Sequence, residues 1–204
     1  ARNNIVMCHQ YWGDIGAASR EYHLVQSLLE PGAYHHVRDQ SALSHADNLL
    51  FAGQMEASLH LLSIAVQSGT ISSDKFTQQI GELQKCHVLH HAGCNHQSIQ
   101  ILERLLPILN QSRYRVYETF GQFLLADCLI EAGRIDEARS RIEAGAQCLP
   151  SQNLVCQINH CISLARFALS TGDLAYSNRQ FFFAAQLSRK DGYRRYLFEA
   201  WLNL

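Results

Sequence analysis

The chain has 204 residues, 47% of them apolar, with 17% charged residues and a formal net charge of −1. Near-neutral charge excludes the global basic bias of a nucleic-acid or anionic-membrane binder, and no apolar run reaches the ~18 residues that a transmembrane helix needs. Only three prolines in this length suit a mostly helical, well-buried fold, and seven irregularly spaced cysteines fit reduced thiols in a reducing compartment, which predicts a cytoplasmic protein.

Taken in chain order, the apolar spacing and the turn residues predict helix pairs at about 2–12 and 14–29, 38–52 and 54–68, and 74–92 and 94–109. Two more pairs are expected at about 113–132 and 134–148, and at 152–171 and 173–188. A last helix is expected from about 193. Gly69 with Ser72-Ser73-Asp74, Asn110–Ser112 and Ser151-Gln152 are expected to punctuate the passages between pairs. Asn110-Gln111-Ser112 also matches a glycosylation sequon, an accident of composition in a cytosolic chain.

Each of these pairs is centred on a glycine: Gly13, Gly53, Gly93, Gly133 and Gly172 recur every 39 or 40 residues. A period of that size marks stacked helical repeats. Seven residues before each glycine stand Val6, Ala46, Cys86, Ala126 and Ala165, and five after it Ala18, Ser58, Ser98, Ala138 and Ser177. Nine after it come Tyr22, Leu62, Leu102, Ile142 and Phe181, and twelve after it Val25, Ala65, Leu105, Gly145 and Ala184. Small residues let helix axes approach, a large one four positions along fills the groove beside them, and the glycine makes the turn.

This column pattern resembles the tetratricopeptide repeat (TPR), a helix-turn-helix unit. The fourth copy shows it best, with Ala126, Gly133, Ala138, Ile142, Gly145 and Pro150; the first copy runs Tyr11, Gly13, Ala18, Tyr22, Val25 and Pro31. The period is longer than the family's usual ~34, and the family's tryptophan near the start of the first helix is absent. The resemblance implies an all-α, right-handed superhelical solenoid of about five repeats, at 1–30, 38–70, 74–110, 113–150 and 152–190, plus a partial sixth at 193–204, forming a single array. The pattern starts and stops partway through a repeat with no polar capping helix, so a fragment of a longer protein is expected.

In this family the first helix of each pair lines the concave groove where partners bind. Carried over six residues before each glycine, that row reads Met7, Asp47, His87, Asp127 and Arg166; three before, Gln10, Leu50, His90, Ile130 and Leu169. Two before, it reads Tyr11, Phe51, His91, Glu131 and Ser170; ten before, Asn3, Leu43, Leu83, Phe123 and Ile162. The expected groove residues are Met7, Tyr11, Asp47, Leu50, Phe51, His87, His90, His91, Phe123, Asp127, Glu131 and Arg166, an apolar wall with an acidic-and-histidine stripe. The alternative is that the apolar rows only pack helix on helix. Two aspartates on the first row, with Arg166 its only basic member, argue against the family's use as a clamp for C-terminal carboxylates.

The densest chemistry is Cys86, His87, His90, His91, Cys94 and His96. His87 and His91, four apart on a helix, have the spacing that lets two imidazoles chelate one ion, and Asp47 and Asp127 on neighbouring repeats are candidate carboxylates. Cys86, however, falls in a buried small column, and helical histidine pairs are common without metal, so no metal or other cofactor is assigned. A metal- or pH-responsive sensor built on His87, His90 and His91 is the remote alternative.

No phosphate loop, His-Glu-x-x-His, Gly-x-Ser-x-Gly or paired Cys-x-x-Cys occurs, so no catalysis is expected. Arg189, Lys190, Arg194 and Arg195 read as a charged turn rather than a nucleic-acid site, and at least one ring of Phe181-Phe182-Phe183 is expected to pack on the following helix pair. Two functional readings result. One is a non-catalytic interaction or ligand-sensing module in a signalling protein, taking a protein, a peptide or a small-molecule effector in the groove. The other is a scaffold for a multiprotein complex. Repeats of this length resemble those of bacterial regulators fused to DNA-binding or cyclic-dinucleotide synthase domains. Self-association through exposed repeat ends is also expected.

Overall fold

The computed structural model describes residues 2–29, 35–112, 114–190, 192, 193 and 196; the side chains of residues 2–4, 7, 10 and 190 lie outside that description. The described residues form helices and turns, with no strand among them. The helices are α1 (Arg2–Trp12), α2 (Ile15–Leu28), α3 (His35–Phe51), α4 (Met55–Ile71) and α5 (Lys75–His91). They continue with α6 (Asn95–Gln111), α7 (Arg115–Glu131), α8 (Ile135–Cys148), α9 (Leu154–Ser170) and α10 (Leu174–Lys190). Most of the partial sixth repeat, with Arg194 and Arg195, lies outside the described residues, and so does Pro31.

The chain divides into two compact units, Ala1–Ala92 and Gly93–Leu204. In the first, α1 packs on α2 and α3, α2 on α3, α3 on α4 and α5, and α4 on α5. In the second, α6 packs on α7, α7 on α8 and α9, α8 on α9, and α9 on α10. Within each unit, therefore, the first helices of successive pairs lie side by side and the second helices wedge between them.

The period glycines do what the spacing predicts. Gly13, Gly53, Gly93, Gly133 and Gly172 all have positive φ, between 74° and 85°, the left-handed region where a side chain is strained. The Gly133 amide donates to the Ile130 carbonyl and the Arg134 amide to Leu129, both at 2.9 Å, which closes the helix end in a Schellman turn. The same pair of bonds joins Gly53 to Leu50 and Gln54 to Leu49. Side chains then start some of the next helices: Asp14 accepts from the Ala17 amide and Asn153 from the Cys156 amide, each at 2.9 Å.

One piece of punctuation differs from expectation. Gly69 is not a linker but sits buried in the last turn of α4, where a Cβ would meet Thr77 at 3.1 Å. The left-handed residue in this passage is Ser73, at φ 59°. It completes a Schellman turn of its own, with the Asp74 amide donating to the Gly69 carbonyl at 2.8 Å.

The columns build the core. Val6, Ala46, Cys86, Ala126 and Ala165 are all fully buried, as are Leu62, Leu102 and Phe181 of the large column. The small column also carries hydrogen bonds: Ser58 Oγ donates to the Ala46 carbonyl at 2.7 Å, and the Cys128 thiol donates to Ser98 Oγ at 3.3 Å. Burial pushes the Cys128 thiol up to about 12 and those of Cys156 and Cys161 up to about 11, so none of the three offers a thiolate near neutral pH. Of the three consecutive phenylalanines, Phe181 is the buried one, whereas Phe182 and Phe183 are exposed.

Candidate interaction surface

In the first unit, the first-helix rows bring together residues from α3 and α5. The Phe51 ring lies 6.4 Å from the His87 ring. His87 and His91, one turn apart, meet edge to face with centroids 4.8 Å apart, and their Nε2 atoms are 3.2 Å apart. One of these nitrogens donates to the other, the tautomers deciding which. His90 stands beside them, its ring 5.8 Å from that of His91. Asp47, Phe51, His87 and His90 are half-buried and His91 is exposed, as Tyr11 is half-buried on α1. The Met7 side chain lies outside the described residues.

In the second unit, Asp127 on α7 is buried and binds two groups of α9. Ser163 Oγ donates to its Oδ1 at 2.8 Å, and the Arg166 guanidinium forms an ion pair with its Oδ2. Arg166 is partly exposed, and Glu131 and Leu169 are exposed. Asp127 therefore has its charge satisfied within the fold, and only the flank of Arg166 is presented outward.

Three expected groove residues are corrected, Asp127 being the first. Leu50 is buried, and Phe123 is 2% exposed, so neither presents a surface to a partner. Phe123 fills the space that Gly145 of α8 leaves open: a Cβ on Gly145 would come within 2.5 Å of its ring. On its other side Phe123 stacks on His160, at 5.2 Å and 12°. The same row at Leu43, Leu83 and Ile162 is likewise buried. At these four positions the row ten before the glycine is interhelical core, not groove wall.

The sequence cluster also separates by role. Cys86 is core, whereas Cys94 and His96 belong to the second unit. Among the described residues, no three His, Cys, Asp or Glu side chains converge as metal ligands.

Sequence columns did not flag His45, which is buried and stacks on Tyr22 of α2 at 4.0 Å and 11°. Burial, with His23 close by, lowers its pKa to about 4. Asp74, expected only as punctuation, caps α5 through the Phe76 and Thr77 amides while His36 binds its other oxygen at 2.9 Å. Burial alone would raise the Asp74 carboxyl. Hydrogen bonds from His36 and Thr77 outweigh that and hold it below the usual range.

Solved structures share this arrangement of helix pairs. A kinesin light chain-type protein of Podosopora anserina with nearly identical TPR-like repeats matches at TM-score 0.61 and 16% identity, over 93% of this chain and 94% of that one. This chain has the TPR-like repeat fold. A variant of the same protein matches at 0.62 with the same identity and coverage. A double mutant of MamA from RS-1 matches at 0.53 and 11% identity, again over 93% and 94%. No family model matches the sequence. No curated protein matches it either. No described helix is long and apolar enough to cross a membrane.

Proposed function

We propose that this TPR-like chain is a non-catalytic protein-interaction module that takes a peptide or helix of a partner on its first helices. The contact residues would be Tyr11, Asp47, Phe51, His87, His90 and His91 in the first unit, and Glu131, Arg166 and Leu169 in the second. The observation that carries this reading is the Phe51–His87–His91 cluster, which joins two repeats in one aromatic and imidazole platform that is not buried. Such a platform gives a partner helix apolar contact through ring faces and orientation through ring N–H groups. In the second unit Arg166, held by Asp127, gives an acidic or carbonyl-bearing segment a fixed donor.

The test is a helical peptide selected by display against the whole chain. Phe51→Ser with His91→Ser is expected to weaken that peptide at least tenfold while leaving the melting temperature in place. Affinity indifferent both to this change and to Arg166→Ala would overturn the reading. The regulatory segment of a larger, cytoplasmic signalling protein is the setting we propose for it. A purely structural scaffold is the competing one, distinguished by whether binding at this face alters the activity of anything fused or bound to the chain.

A further inference from the structure

The first helix pair of the chain meets the second across a seam that the other repeats do not share. Along α3, Ser41, His45 and Asn48 fall at i, i+4 and i+7, one stripe of the helix, and all three are buried. Tyr22 of α2 stacks on His45, and Gln26 stands one turn along α2 on the same side. Ser41 Oγ, His45 Nδ1, Gln26 Nε2 and both amide atoms of Asn48 have no hydrogen-bond partner among the described residues. Asn48 itself is 0% exposed.

The repeat register shows what these residues replace. Where Asn48 stands, the third and fourth copies have Val88 and Cys128; where His45 stands, the fourth has Leu125; where Ser41 stands, both have glycine, Gly81 and Gly121. In the second unit the corresponding contact is satisfied, because Cys128 of α7 donates to Ser98 of α6. The residue equivalent to Ser98 on α2 is Ala18, which has no polar group to offer Asn48. With Tyr22 stacked on His45 and the two helices consecutive, the repeat register sets Ala18 toward Asn48 and Gln26 toward Ser41. The unpartnered atoms thus run along the stripe from Ser41 and Gln26 past the Tyr22–His45 stack to Asn48.

Buried polar atoms without partners are rare in folded proteins because each forfeits its hydration without return. Water bridging them meets that cost, and a seam that buries polar groups in place of apolar contacts opens locally at a lower free energy than an apolar one. We propose that the α2–α3 seam is a hydrated joint at which α1 and α2 open together from the rest of the first unit, without unfolding the remainder of the chain. The joint gives the module a movable helix pair beside α3, the helix that carries Asp47 and Phe51.

Native-state amide exchange of the whole chain, read by mass spectrometry, tests it. In the wild type, α1 and α2 are expected to exchange as one unit at least tenfold faster than α7 and α8. His45→Leu with Asn48→Val, which restores the residues of other copies, is expected to slow that exchange at least tenfold and leave α7 and α8 unchanged. Ala18→Ser, which supplies the hydroxyl found at Ser98, is expected to act in the same direction should the double variant fail to fold. The proposal is overturned if wild-type α2 exchanges only with global unfolding. It is equally overturned if the variants that fold leave α1 and α2 exchanging as in the wild type, since faster exchange would then reflect position at the chain end.

Discussion

Arg166 and Asp127, one repeat apart on the same row of successive first helices, are ion-paired, and Ser163 donates to the same carboxylate. The pair ties α9 to α7 with charge rather than with apolar area alone. Asp127 is buried, while the Arg166 side chain keeps 26% exposure, so solvent screens part of the attraction. Removing the cation should still leave a buried carboxylate with a single hydroxyl donor. Arg166→Ala is expected to cost about 1–3 kcal/mol, below the 3–5 typical of a fully buried broken pair. Arg166→Met with Asp127→Leu should recover most of that loss. Urea denaturation midpoints of the three proteins check it, and a double variant no better than Arg166→Ala would show that the pair is not the source.

Gly145 and Phe123 make a packing prediction of the opposite kind. A methyl on Gly145 would improve helix propensity by ~1 kcal/mol, yet it would stand 2.5 Å from the Phe123 ring. Overpacking of this sort costs about 1–3 kcal/mol, so Gly145→Ala is expected to destabilise on balance. Adding Phe123→Leu to Gly145→Ala should return stability toward the wild type, because the shorter side chain vacates the clash. Thermal melts of the single and double variants decide between this and simple propensity.

The turns provide a matched pair. At Gly133 a Cβ would meet nothing within 4 Å, but φ is +74°. Gly133→Ala should therefore lose about 1–2 kcal/mol through backbone strain alone. Ser73 already bears that strain, with φ 59°, and its turn bonds come from the backbone. Ser73→Gly should gain up to ~1 kcal/mol. Shifts of both denaturation midpoints in one direction would mean that φ is not what governs these turns.

These residues show how far the sequence carries. The turns were legible because left-handed backbone demands glycine, and the small and large columns because close helix approach demands those sizes. Asp127 and Arg166 were legible as neighbours on one row, but not as partners of each other, since spacing does not say which way a side chain is drawn. Phe123 and Leu50 were misassigned for a related reason. Positions ten, six and three before the glycine form one stripe of the helix, and how much of that stripe a neighbouring helix covers depends on the crossing geometry. Ser73 was legible as part of the passage but not as its left-handed residue, because Gly69 beside it is the stronger turn signal and the fold uses that glycine for close packing against Thr77. His45 and Asn48 gave no signal, because polar residues at an interhelical position contradict the pattern rather than express it.

His45 makes stability depend on pH, and the direction follows from its burial. Its folded pKa is about 4, lowered by desolvation and then by His23, whereas an unfolded histidine titrates near 6.5. Between those values the unfolded chain binds the proton that the folded chain refuses, so stability rises with pH across that window. The contribution is fully present above about pH 6.5 and is lost progressively as pH falls toward 4; a gap of roughly 2.5 units corresponds to at most about 3 kcal/mol. His160, lowered by burial against Phe123, acts with the same sign. Asp39, raised by burial despite the hydrogen bond from Ser68, acts with the opposite sign. Subtracting a His45→Leu variant from the wild type isolates the one histidine from both. Urea midpoints at pH 7 and pH 5 should fall by less in the variant than in the wild type. Equal falls in the two proteins would mean that His45 takes up its proton as readily in the folded chain as in the unfolded one, and that its burial does not govern its titration.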